Sequence, residues 1–120
     1  MLFLEYPPCS TCKKAKKWLE EHNIAYTARN IKEENPSYDE LARWLSASGL
    51  PVKKFFNTSG LLYKSLELKD KLPTMRVEEQ LQLLSSDGML VKRPILVMDD
   101  GNVFIGFQEK AWAEHLHSDI

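Results

Sequence analysis

The sequence predicts an α/β fold in which helices cover a mixed four-stranded sheet and an all-helical insertion interrupts the chain. Three observations favour this fold: an opening strand–helix–strand pattern, helical apolar spacing through the middle, and two short apolar segments before a last helix. The chain has 120 residues, of which 43% are hydrophobic, enough for one domain of two or three layers. We therefore expect a single domain over residues 1–120, with the insertion at about residues 35–90.

A βαβ unit opens the chain. Residues 2–6 are a short apolar run that ends at a proline pair, and the next segment has an apolar stripe at helical spacing, namely Ala15, Trp18 and Leu19. Asn23 can end this helix, and residues 24–31 contain enough β-branched and aromatic residues for a second strand. Because the crossover is long enough for a helix, the two strands should be parallel.

The middle of the chain has the signals of several helices. Ser37 and Glu40 have the spacing of a capping box before an apolar stripe, and Gly49 followed by Pro51 ends that helix. Pro51 also suits the first turn of a short helix. Turn residues then delimit two further helical stretches, at residues 61–66 and around residues 77–84.

The last third of the chain returns to strands. Residues 95–98 and 103–105 are apolar and flank Asp99-Asp100-Gly101-Asn102, which has the chemistry of a hairpin turn. Apolar spacing over about residues 109–116 predicts a final helix. The predicted order is therefore β-α-β, helices, β-β-α.

Composition bears on location and partners. The formal net charge is −1, so the chain lacks the basic field of proteins that bind nucleic acids directly. No apolar stretch approaches the roughly 20 residues of a membrane span, and the N-terminus lacks the pattern of a secretory signal. We expect a cytoplasmic monomer that binds neither a membrane nor nucleic acid.

Cys9 and Cys12 are the candidate reactive residues. They are the two cysteines of the sequence, and their C-x-x-C spacing falls between the first strand and the first helix, where thiol-redox sites occur. A helix N-terminus favours the thiolate over the thiol. We expect Cys9 to attack and Cys12 to resolve the adduct. The alternatives are incidental buried thiols or a structural zinc site.

Arg93 is the candidate electrostatic partner of these thiols. Its guanidinium is a permanent cation with a planar donor fork, which suits a thiolate or an oxyanion ligand. The alternative is an ordinary surface pair with Asp99 or Asp100. On the first helix, the lysines are expected to form a solvated face with Lys16–Glu20 and Lys17–Glu21 pairs.

Several stretches resemble the arsenate-reductase-like (ArsC-like) family, which includes glutaredoxin-coupled arsenate reductases and Spx/MgsR-type proteins. They are Cys9-Ser10-Thr11-Cys12-Lys13-Lys14-Ala15, Trp18-Leu19-Glu20-Glu21-His22, Arg29-Asn30-Ile31 and Lys92-Arg93-Pro94-Ile95. The resemblance implies a thioredoxin-like fold, a cis bond before Pro94, and no tightly bound cofactor. It implies glutathione, glutaredoxin or thioredoxin as the external reductant of the cysteine pair.

The resemblance leaves two functions open. Members that reduce arsenate hold the oxyanion with three arginines, of which this chain matches Arg93, whereas the other two positions fall on Asn57 and Gly106. That difference weighs against arsenate and favours another disulfide or oxyanion-type substrate. Spx-type members instead regulate transcription by binding the C-terminal domain of the RNA polymerase α subunit, with the cysteine pair as a redox switch. Their contact region has a glycine where this chain has Pro51.

Overall fold

The computed structural model describes residues 1–117, with the backbone alone at His117. Its four strands are β1 (Leu2–Glu5), β2 (Thr27–Asn30), β3 (Ile95–Val97) and β4 (Val103–Ile105), in the sheet order β2-β1-β3-β4. The β1–β2 pair is parallel, and the β1–β3 and β3–β4 pairs are antiparallel. The predicted thioredoxin-like α/β fold with a mixed four-stranded sheet is therefore confirmed. The predicted single domain extends to residues 118–120, which lie outside the described residues.

Six α-helices accompany these strands within residues 1–117. They are α1 (Ser10–Glu21), α2 (Tyr38–Ser48), α3 (Leu61–Ser65), α4 (Leu68–Lys71), α5 (Val77–Ser86) and α6 (Glu109–His117). Short 3-10 helices lie at Val52–Phe55, Leu72–Thr74 and Gly88–Leu90. The helices α2 to α5 all lie between β2 and β3 in sequence. We call residues 38–90 the helical segment.

The two faces of the sheet are covered by different helices. Along β1, Phe3 and Leu4 are both fully buried, and successive strand residues point to opposite faces. Phe3 packs with side chains of α1 and α6, among them Trp18 and Trp112, whereas Leu4 packs with residues of α2 and α5. The sheet therefore lies between the α1/α6 pair and the helical segment.

The second strand is shorter than predicted. Ile24 donates its N–H to the Leu19 carbonyl at 3.0 Å, so it still belongs to the turn that ends α1. Asn23, with φ +55°, makes the left-handed turn there. Ile24 packs against the α1/α6 side of the core without joining the ladder. The β-branched and aromatic content thus predicted the strand but placed its start three residues too early.

The predicted capping box begins α2. The Ser37 hydroxyl accepts from the Glu40 N–H at 3.2 Å, and the Ser37 N–H donates to Glu40 Oε1 at 3.0 Å. Gly49, with φ +69°, ends the helix in the left-handed conformation that glycine adopts without a Cβ penalty. Local sequence signals therefore fix both ends of this helix.

The lysine face of α1 differs in one pair from the prediction. Lys17 pairs with Glu21 at 3.7 Å as expected, but the Lys16 ammonium lies 3.7 Å from Glu5 of β1 instead of pairing with Glu20. Glu5 is almost completely buried, and a buried carboxylate needs a compensating cation.

No helix within residues 1–117 is both long and apolar enough to cross a bilayer.

Candidate functional site

Cys9 occupies the N-cap position of α1. Its backbone is extended, with φ −73° and ψ 125°, and its N–H donates to the Tyr6 carbonyl at 2.9 Å while its carbonyl accepts from the Lys13 N–H at 3.0 Å. The Pro7-Pro8 turn separates this position from β1, so the chain enters the helix directly at the cysteine. The Cys9 thiol is partly exposed and faces the open N-terminal end of the helix.

Cys12 lies one turn further and is fully buried. Its Sγ accepts a hydrogen bond from the Tyr6 N–H at 3.5 Å. Both cysteines are free thiols in this structure. The site therefore contains one accessible and one sequestered sulfur on adjacent turns of the same helix.

Arg93 reaches the same place from the segment before β3. Its guanidinium carbon lies 5.0 Å from the centre of the Tyr6 ring, a cation–π contact, and Nη1 donates to the Met89 carbonyl at 3.5 Å. The Arg93-Pro94 peptide bond is cis. Arg93 thus enters the site held by an aromatic face and a carbonyl.

The alternative surface pairing of Arg93 is not observed. Asp99 pairs with the amino terminus, and Asp100 Oδ2 lies 3.0 Å from His115 Nε2. Among residues 1–117, no carboxylate lies within ion-pairing distance of the Arg93 guanidinium. The guanidinium charge is therefore available to the cysteines.

The surroundings of Cys9 favour its thiolate. Burial, the largest single influence, opposes ionisation, but the Cys12 N–H and thiol, the Arg93 guanidinium and the Thr11 N–H together outweigh it and lower the Cys9 pKa. The thiol makes no capping hydrogen bond of normal geometry. The N–H groups act on it through their dipoles at the open helix end.

The surroundings of Cys12 have the opposite effect. Burial above all, and then the hydrogen bond and negative charge of Cys9, raise the pKa of Cys12 to about 12, against the lowering effects of the Tyr6 N–H and the Arg93 guanidinium. The two thiols titrate as an interacting pair, since the charge on one acts on the other. The pKa values of the two neighbouring thiols therefore differ, and the accessible Cys9 is the stronger acid.

These groups open onto a cleft of about 910 Å³ between the N-terminus of α1 and the helical segment. Cys9 and Arg93 both line the cleft, whereas Cys12 lies behind its wall. Asn57 and Gly106, the positions at which the resemblance implies arginines, line it as well. The three positions that the resemblance assigns to the oxyanion therefore line one cleft.

Two lining residues were missed from the sequence. Lys92 lines the cleft beside Arg93, and its place in the Lys92-Arg93-Pro94-Ile95 motif was the available signal. Tyr6 was assigned to the first strand, but it lies beyond the end of β1 and turns its ring toward Arg93. Within the described part of the chain, no three His, Cys, Asp or Glu side chains cluster as metal ligands would.

The chain belongs to the ArsC family, whose profile matches residues 4–115. It is similar to the uncharacterized protein YusI of Bacillus subtilis, at 51% identity over 96% of this chain and 97% of YusI. The regulatory protein MgsR of Bacillus subtilis is 35% identical over 89% of this chain and 82% of MgsR. The global transcriptional regulator Spx of Staphylococcus epidermidis is 33% identical over 86% and 76%.

Solved structures agree with this membership. A putative ArsC family related protein from Bacteroides fragilis has a TM-score of 0.91 and 57% identity over 94% of each chain. A possible arsenate reductase from Streptococcus mutans has a TM-score of 0.80 and 49% identity over 89% of this chain and 90% of its own. The proteins similar to this chain therefore include the regulators MgsR and Spx and a possible arsenate reductase.

Proposed function

We propose that this protein is a thiol-redox protein that reduces a disulfide or an oxyanion-type substrate through Cys9, with Cys12 as the resolving thiol. The observation that supports it best is an accessible Cys9 thiol at the N-cap of α1, on the cleft, with the buried Cys12 thiol one turn behind it. These surroundings lower the pKa of Cys9 and raise that of Cys12. A nucleophile should be accessible and ionised, and a resolving thiol should stay protonated until it is needed. Arg93, which has no carboxylate partner within residues 1–117, supports the thiolate as a cation.

The first step is attack by the Cys9 thiolate. With a disulfide substrate, the Cys9 Sγ forms a bond to one substrate sulfur as the substrate S–S bond breaks, and the other half leaves as a thiolate. Arg93 and the N–H groups at the start of α1 offset the negative charge on the reacting sulfurs. The product of this step is a mixed disulfide at Cys9.

The second step follows from the first through electrostatics. Once Cys9 is in a neutral mixed disulfide, its negative charge no longer raises the Cys12 pKa, while the Tyr6 N–H and Arg93 still lower it. Cys12 is therefore a stronger acid than before although its burial still raises its pKa, and as its sulfur attacks the Cys9 Sγ its proton passes to the departing second substrate thiolate. The dithiol has given two electrons and become a disulfide. Glutathione, glutaredoxin or thioredoxin would return those electrons.

A two-cysteine trapping experiment tests this order. Reduced wild type mixed with the neutral disulfide 4,4′-dithiodipyridine should release two equivalents of thiopyridone and lose two hydrogens by mass. Cys12→Ser should release one equivalent and retain a mixed adduct at Cys9, and Cys9→Ser should release almost none. A Cys9→Ser variant that reacts as fast as wild type would refute the assignment.

The second candidate function is a redox-sensing regulator of the Spx/MgsR type that binds the C-terminal domain of the RNA polymerase α subunit. The relatedness to MgsR and Spx favours it. In the helical segment, Pro51 precedes the 3-10 helix Val52–Phe55 and lines a second cleft of about 520 Å³. A pull-down of the polymerase α subunit with oxidised and reduced protein separates the candidates, because capture that depends on redox state favours the switch.

A further inference from the structure

We propose that Lys92 is a second cation of the Cys9 cleft and that the cleft selects organic disulfides carrying carboxylates. This inference rests on the proposed thiol-redox function and specifies its substrate class. It starts from two neighbouring residues, Lys92 and Arg93, whose side chains both line the cleft that contains Cys9.

The backbone gives the Lys92 side chain its place. The Lys92 N–H donates to the Phe55 carbonyl at 2.8 Å, which fixes Lys92 against the helical segment. The Gly106 N–H donates to the Pro94 carbonyl at 2.8 Å, which holds the end of β4 beside the Lys92-Arg93 segment. A Cβ on Gly106 would lie 3.0 Å from Lys92 Cε, closer than such atoms normally approach. Gly106 also has φ +80°, which other residues rarely adopt. The glycine therefore leaves the space that the lysine chain occupies.

The charges of the cleft are unbalanced. Among residues 1–117, neither Lys92 nor Arg93 has a carboxylate within ion-pairing distance. Asp87 is the acidic residue of the lining, and its Oδ1 already accepts from the Met89 N–H at 2.8 Å. In the described part of the chain, two cations thus face the cleft without a carboxylate partner, and an anionic ligand would compensate them.

The size and the walls of the cleft favour an organic ligand. A volume of about 910 Å³ is within the range that buries drug-sized molecules. Leu61, which is 87% exposed, lines the cleft together with Leu62 and Phe107. A bare oxyanion would use the cations and leave this apolar wall without a contact. A disulfide with carboxylates on organic arms would use both.

Two chromogenic disulfides of different charge test the inference. Reduced wild type, Lys92→Met and Lys92→Arg are mixed with 5,5′-dithiobis(2-nitrobenzoate), a dianion, and with neutral 4,4′-dithiodipyridine. Lys92→Met should slow the reaction with the dianion about fivefold and change that with the neutral disulfide by less than about twofold. Lys92→Arg should restore the rate, and the difference should shrink in high salt. Lys64→Met is the matched control, since Lys64 is exposed on α3 but does not line the cleft.

The outcomes separate this inference from the proposed function. If wild-type Cys9 reacts with neither disulfide, both are refuted. If it reacts with both and Lys92→Met slows both equally, or slows neither, the selection by Lys92 is refuted while the thiol-redox function stands. The pH profile of Cys9 alkylation should be the same in Lys92→Met and wild type, because Lys92 acts on the substrate.

Discussion

Arg29 and Arg93 are the same residue type in two opposite environments. The Arg29 guanidinium donates to both Glu40 carboxylate oxygens, at 2.7 and 2.9 Å, and to the carbonyls of Glu34 and Asn35, at 2.8 and 3.1 Å. It sits between β2 and α2 with 18% of its side chain exposed. The Arg93 guanidinium instead makes a long hydrogen bond to the Met89 carbonyl and a cation–π contact with the Tyr6 ring.

The difference separates a scaffold charge from a site charge. Arg29 and Glu40 neutralise each other and, through the Ser37 capping box, fix the connection from the sheet into the helical segment. Arg93 keeps its charge available next to a thiol. A charge that is fully used by the fold contributes to stability, whereas one left without a carboxylate contributes to reactivity. Four predictions test this contrast.

Arg29→Met should have the largest effect on stability. Removing one partner of a largely buried ion pair leaves the other uncompensated, so we expect a loss of about 3 kcal/mol in the free energy of unfolding. Urea denaturation followed by circular dichroism measures it. The alkylation pH profile of Cys9 should not move, and a shift there would contradict the separation of the two regions.

Acid should remove the contribution of the same pair. The Arg29 guanidinium, with the Ser37 N–H and hydroxyl, lowers the Glu40 pKa to about 2 against the effect of burial. Because the folded pKa is below the unfolded one, this stability is complete above the unfolded pKa of about 4.3 and is lost as the pH falls toward 2. We expect the free energy of unfolding, measured by urea titrations, to fall by about 2 kcal/mol through this pair between pH 5 and pH 2. Glu40→Gln should make this pH dependence shallower, leaving the contribution of other carboxyls such as Asp100, and an equally steep dependence in Glu40→Gln would refute it.

Arg93→Met should affect reactivity more than stability. Loss of one charge-assisted interaction should slow Cys9 alkylation at pH 7 roughly tenfold and move its pH profile to higher pH. Because Cys12 is fully buried, iodoacetamide reports on Cys9. The unfolding free energy should change by less than about 1 kcal/mol. An unchanged pH profile would show that Arg93 does not support the thiolate.

Arg76→Met should have the smallest effect and serves as the control for Arg29→Met. Arg76 Nε lies 3.3 Å from Glu79 Oε1, but the two side chains are 80% and 47% exposed. An exposed pair typically contributes less than about 1 kcal/mol, and we expect a change of about 0.5 kcal/mol or less by urea denaturation. A loss as large as that of Arg29→Met would mean that burial does not decide the outcome.

The elements with local causes were predicted best. The capping box of Ser37 and the left-handed Gly49 depend on residues within one turn of each other, so their sequence pattern was sufficient. Residues 24–31 were assigned to a strand from their β-branched and aromatic content, but only Thr27–Asn30 pairs with β1. Lys16 was predicted to pair with Glu20 on its own helix, whereas it forms its ion pair with the buried Glu5 of β1.

The sequence by itself determined the order of strands and helices, the position of Cys9 at a helix start and the separation of Cys9 and Cys12 by one helical turn, because these follow from spacing along the chain. The tertiary structure decided which cations stay without carboxylates. It also decided that Cys12 is buried while Cys9 is accessible, and that Lys92 fills the space beside Gly106. These properties depend on burial and on contacts between residues far apart in sequence, which set the local dielectric and the charges that each thiol experiences.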